Sequence, residues 1–188
     1  MAVLTLTATG ANCPKTGGVK AIYLSPASHI ESITAGASHD ITNIVFVTAG
    51  TGFGAIEFKR GEAELTESGE NTNEVVLNIA VPNPTAAQRK QLNDIRKVCE
   101  MQAVVELYDD QRLLYVGWDL EAEFEAFLKY QSHEFTSGRA KSDANLFQLN
   151  LMAEHSEPLR VLSGISGATV PATTKAAIIA ELLAATSD

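Results

Sequence analysis

Residues 74–81 read Glu-Val-Val-Leu-Asn-Ile-Ala-Val, with Val75, Leu77, Ile79 and Val81 on every second position. A period of two places those four side chains on one face of an extended chain, so the stretch predicts a strand with one buried face. Working outward, the same texture recurs. Residues 19–25 are short, β-branched and aromatic, and stop at Pro26. Residues 41–48 (ITNIVFVT) end at the punctuation Gly50-Thr51-Gly52, and residues 55–59 set Ile56 and Phe58 against Glu57 and Lys59. Residues 103–108 and 113–118 read as a hairpin through Asp109-Asp110. In residues 119–132, Leu120, Phe124, Phe127 and Leu128 fit a helix. Ala122, Phe124, Ala126, Leu128 and Tyr130 alternate instead with Glu121, Glu123, Glu125, Phe127 and Lys129, and a strand is the preferred reading. Residues 134–136, 146–152 and 159–162 complete the strands. The expected class is mainly β, a β-sandwich or barrel, with one flanking α-helix and a short C-terminal helix.

The flanking helix is expected from about 84 to 99, with Asn83 as N-cap and Pro84 in the first helical position. Leu92, Ile95 and Cys99 form its apolar stripe. Residues 61–73 (GEAELTESGENTN) are polar, acidic and glycine-containing, which predicts an exposed loop. The organisation read from this pattern has three parts. Residues 1–18 are an N-terminal arm or edge strand, 19–162 the β domain, and 163–188 a linker followed by a helix or arm. In the last part Ile178, Ile179, Leu182 and Leu183 make a greasy face on a helix too short to stand alone in water. That face either folds back on its own domain or docks on a neighbouring subunit.

Composition narrows the function. The 188 residues carry a net charge of −9, concentrated in the middle of the chain around Glu62–Glu74 and in the run from Asp119 to Glu125. Such a surface repels phosphate, which disfavours gripping of nucleic acid, although an acidic wall suits DNA that must slide past. No apolar run approaches the roughly 20 residues of a membrane-spanning helix. The first residues lack the pattern of a signal peptide, so synthesis and retention in a cytoplasm are expected. Cys13 and Cys99 form no CxxC pair and are read as reduced, inert thiols.

No catalytic constellation emerges. His29, His39, His133 and His155 match no metal spacing and are read as exposed loop and strand-end residues. Residues 50–54 (GTGFG) lack the spacing and following helix of a phosphate loop and are read as a hairpin turn. Gly164-Ile165-Ser166-Gly167 is one residue short of a nucleophile elbow. Glu121 and Glu123 are expected on a solvated face. Trp118, Phe124, Phe127, Tyr130 and Phe135 could line a ligand groove but are read as a core or contact cluster. No catalytic residue, cofactor or metal is assigned.

The order of segments LTESGENTNEVVLNIAVP, TAAQRKQLNDIRKVCE, VVELYDDQRLLYVGW and EFTSGRAKSDANLFQLNLMAE resembles small structural proteins of bacteriophage and prophage virion modules, over residues 19 to 163. Within them it looks most like a tail tube protein. The resemblance implies a subunit of stacked, homo-oligomeric, hexameric rings that conduct DNA. It also implies contacts with itself and with other virion proteins, and a place in the virion after synthesis in the bacterial host cytoplasm. The acidic loop would correspond to the ring-to-ring contact, which makes Glu67, Glu70 and Asn73 candidate subunit-contact residues beside Ile178, Ile179, Leu182 and Leu183. A head, neck or decoration component is one alternative. A small-ligand or carbohydrate-binding β-sandwich module using Trp118 is another.

Overall fold

In the computed structural model, which describes residues 18–47, 52–59, 61–69, 72–108, 112–120, 126–136, 145–166, 171–172 and 174–184, thirteen strands and two α-helices follow one another. In chain order these are β1 (Val19–Pro26), a 3-10 turn at Ala27–His29, β2 (Ile30–Ala35), β3 (Asp40–Phe46) and β4 (Gly54–Glu57). Next come β5 (Ala63–Ser68), β6 (Asn73–Pro82), α1 (Ala86–Ile95), β7 (Met101–Leu107) and β8 (Leu113–Val116). The last group is β9 (Lys129–Thr136), β10 (Leu146–His155), β11 (Arg160–Leu162), β12 (Ile165–Ser166), β13 (Pro171–Ala172) and α2 (Lys175–Ala184). The mainly β class read from the sequence is what the chain adopts.

The strands form a seven-stranded sheet, β2-β3-β11-β8-β7-β1-β4, and a four-stranded sheet, β5-β6-β10-β9, with β12 and β13 paired apart. All pairings among the described strands are antiparallel except β3 with β11. The two sheets pack face to face. Val75, Leu77, Ile79 and Val81 of β6 and Leu149 and Leu151 of β10 meet Ala103 and Val105 of β7 in one apolar cluster. The opposite face of the larger sheet carries a second cluster, in which Tyr23, Ile41, Ile44, Val104 and Tyr115 are covered by Phe53 and by Ile178 and Leu182 of α2. The architecture is therefore three layers: small sheet, large sheet, helix.

Several expectations are corrected. The N-cap of α1 is Thr85, not Asn83. Its hydroxyl accepts from Gln88 N at 3.2 Å, and the Gln88 side chain accepts from Thr85 N at 2.9 Å, a reciprocal capping box. Asn83 lies at φ +48°, outside helical space, and exchanges hydrogen bonds with Asn145. Residues 61–73 are not a loop throughout, because Ala63–Ser68 pair with β6 over six positions and bury Ala63. Nor do residues 50–54 join a hairpin: β3 lies between β2 and β11, while β4 pairs with β1. Phe53 is instead fully buried, with ring contacts to Phe46 and Tyr115. In residues 119–132 the strand starts at Lys129, and 121–125 lie outside the described residues. The N-terminal arm expected over 1–18 lies outside them too, apart from Gly18.

The greasy face of the C-terminal helix is taken up within the chain. Ile178 and Leu182 are buried in the second cluster, Ile179 and Leu183 pack against it, and Phe53 N donates to Leu182 O at 3.1 Å. Ile178 and Leu182 thus belong to the chain's own core, with Ile179 and Leu183 half-buried beside it. Burying two such side chains is worth roughly 1.5–3 kcal/mol each, enough to hold a helix that water alone would melt. Leu162 thus shares one cluster with Ile165, Ile178 and Leu182.

Candidate functional site

Alternation along β6 and β10 sends their apolar residues inward, so everything between them must face outward on the small sheet. The pairing register aligns these outward residues in rows. Glu64 lies opposite Asn78, Asn78 opposite Asn150, and Asn150 opposite Ser132, so one polar row crosses all four strands. Asn150 Nδ2 donates to Ser132 Oγ at 3.0 Å within it. On one side follows the row Ala80, Gln148, Glu134; on the other lies the row Thr66, Val76, Met152, Lys129. Glu74 and Glu154 close the face beyond that. Amides and carboxylates dominate, Lys129 is the one cation in these rows, and no arginine stands among them.

The face ends at two open margins. Among the described residues, no strand pairs with the outer edge of β5 or of β9. All but two residues of β5, and all but Tyr130 in β9, are exposed. Unpaired main-chain groups on a long edge invite a further strand. Behind β9, α1 braces the sheet: Arg89 sits over the Phe135 ring at 4.2 Å and Arg96 over Tyr130 at 5.5 Å.

Of the contact residues expected from the sequence, Glu67 is on β5 and its Oε1 accepts from Leu159 N at 2.9 Å, so it ties two parts of the same chain together. Asn73 opens β6 opposite His155. Glu70 lies outside the described residues. The amide row itself was not foreseen. Each member is ordinary alone, and only the register between strands far apart in sequence brings them into line.

One constellation brings an acid, a histidine and a serine together. Asp119, His155 and Ser156 lie together, yet Ser156 donates directly from both its N (2.5 Å) and its Oγ (2.6 Å) to Asp119 Oδ2. His155 Nε2 faces Gly117 N at 3.4 Å. The Ser156 hydroxyl is thus committed to Asp119, and His155 Nε2 to the main chain. His155 is 2% exposed, contrary to the expectation of exposed histidines, and burial depresses its pKa. The neighbouring Glu157 holds Arg160 in a two-pronged ion pair at 2.6 and 2.7 Å, and Arg160 lies 5.9 Å from the Trp118 ring. Trp118 packs on the helix-covered cluster and Tyr130 on the other one, so these two do not share a groove, and Phe124 lies outside the described residues.

No group of three or more His, Cys, Asp or Glu able to hold a metal ion occurs among the described residues. No helix among them is long and apolar enough to cross a membrane. No protein family, no curated protein and no solved structure matches this chain.

Proposed function

We propose that this chain is a structural virion protein, a tail tube subunit whose copies join edge to edge into stacked hexameric rings through which DNA passes. The observation that carries this reading is the small sheet with its cross-strand amide row and two open margins. Four antiparallel strands are an even number, so β9 runs opposite to β5. Rotation about an axis along the strands then brings β9 of one copy beside β5 of the next as an antiparallel pair. A head-to-tail contact of this kind closes into a ring when the rotation fits. Closure also removes both edges.

Six such sheets, with strands ~4.8 Å apart and tilted, enclose a tube roughly 40–50 Å across at the backbone. That is wider than a DNA duplex. The Glu64–Asn78–Asn150–Ser132 row becomes a continuous polar ring on its inner wall. A wall poor in cations neither grips phosphates nor releases counterions, which favours passage over binding. Copies of this chain and other virion proteins are its partners in this reading, and DNA is only cargo.

Negative-stain class averages of the purified full chain, at rising concentration, test the proposal. Rings with a central hole of the stated width support it. Filled or flat assemblies point to a head, neck or decoration role instead. A monodisperse monomer at every concentration overturns assembly altogether.

A further inference from the structure

The two open margins of the small sheet differ in charge. Arg89 and Arg96 of α1 lie over Phe135 and Tyr130 of β9, on the side of that strand that the pairing register turns toward the core. Lys129, at the start of β9, stands on its other side, opposite Met152. Against these three cations β9 carries one carboxylate, Glu134. At the far margin the sign reverses. β5 has two exposed carboxylates, Glu64 and Glu67, and no cation. Glu64 is opposite Asn78 on the outward face, whereas Glu67 is opposite Val75 on the inward one. Each face of the basic margin therefore has an acidic counterpart on the same face of the other.

Each copy carries a net charge of −9, so whole copies repel one another and close approach needs a local patch of opposite sign. An open strand edge can also take its own twin, two-fold related, as an antiparallel pair. Two β5 strands joined that way set Glu64 and Glu67 against the same acids, and two β9 strands bring the arginines of both copies together. Like charges placed opposite each other are destabilising. Of the three pairings, β9 with β5 alone sets opposite signs together on both faces. Given the edge-to-edge assembly proposed above, on which this rests, we propose that charge selects the partner edge: β9 of one copy takes β5 of a second copy and rejects another β9. Where the polar row runs on across the joint, Lys129 stands opposite Thr66 of the next copy and one diagonal from Glu64. Tyr130, with Arg96 over it, is one diagonal from Glu67. Such diagonals are ~7–8 Å, within reach of long side chains. A contact with one allowed direction leads to a ring rather than to a closed pair.

Light scattering and negative-stain images of the full chain and two charge variants test this. Arg96→Glu with Lys129→Glu makes both margins acidic, and Glu64→Lys with Glu67→Lys makes both basic. Each variant alone should lose the rings. An equal mixture should restore them, because every joint then meets its opposite and the two kinds alternate around an even-numbered ring. Rings from either variant alone, or none from the mixture, overturn charge selection, while rings from the parent keep the edge-to-edge reading. A parent that stays monomeric overturns both. Should a variant fail to fold by far-ultraviolet dichroism, the parent decides. Its assembly constant should fall at least ~tenfold between about 0.05 and about 0.5 M salt, and an unchanged constant overturns the proposal.

Discussion

Lys175, the first residue of α2, and Glu106, on the interior strand β7, meet at 3.0 Å between Nζ and Oε1. The same oxygen takes Lys20 Nζ at 2.8 Å, and Tyr23 OH donates to the other oxygen at 3.1 Å. A carboxylate this deeply buried would be costly alone. Burial pushes its pKa up, and the two ammonium groups of Lys20 and Lys175 outweigh this, so it stands below the ordinary value.

Replacing Glu106 by Ala should lower unfolding free energy by about 3 kcal/mol, because the change removes the buried carboxylate that Tyr23, Lys20 and Lys175 all reach. Lys175→Met should cost less, since Lys20 remains. Urea unfolding of the three proteins gives the order; an E106A protein as stable as the parent would refute the latch.

Acid should weaken the protein in two legs. His155 has a folded pKa below its ordinary 6.5, so the unfolded chain takes its proton first and stability falls as pH drops below 6.5. Glu106 has a folded pKa below 4.5, so its contribution is complete above that pH and is lost as pH falls through the lowered value. Denaturation midpoints from pH 8 to 3 should show both slopes. His155→Gln should flatten only the upper one, and E106Q only the lower.

Leu182 is fully buried between α2 and the large sheet, whereas Val47 is more than half exposed. Leu182→Ala should destabilise by about 3 kcal/mol through the cavity it leaves, and Val47→Ala by under ~0.5 kcal/mol. Equal losses would mean the helix is not seated as described.

Gly117 stands at φ +99°, and a methyl group there would meet Met101 O at 2.8 Å and Gln102 Cα at 3.0 Å. Both are main-chain atoms of β7, which cannot swing aside. Gly117→Ala should cost about 2 kcal/mol, read as a drop in melting temperature. An unchanged melting temperature would contradict the close approach of these two segments.

The amide face makes a prediction about charge. Reversing Glu64, Glu134 and Glu154 to Lys adds two charges at each site and takes the net charge from −9 to −3. The parent should not retain duplex DNA in a filter assay at 50 mM salt. The triple variant should retain it in a salt-sensitive way, with a log–log slope of roughly −2 to −3 if each new lysine neutralises one phosphate. Retention by the parent would argue against a sliding surface.

Much of the fold was legible because burial on one face leaves a period of two. β6 and β10 are plain in the sequence, and so are β7 and β8. β2 was not, since Ile30–Ala35 is an edge strand with no buried position and so carries no such signal. β5 was hidden by its acids: Glu64 and Glu67 gave a strand the texture of a loop, because one face looks out and one edge is unpaired. The apolar face of α2 was readable, but which surface covers it was not, since helix periodicity reports a face and never its partner. Glu106 gave no local sign of burial either. An acid inside an apolar strand looks solvent-facing until a helix more than sixty residues later brings Lys175 to it.

β7 alternates its side chains between two layers, Ala103 and Val105 toward the small sheet, Val104 toward the helix. Neither layer can loosen without disturbing a strand the other needs, so among the described residues the two layers share their support. Melting should be a single event, with fluorescence of Trp118 and far-ultraviolet dichroism tracing the same curve. A chain built this way answers load as one rigid brick, leaving adjustment to its margins.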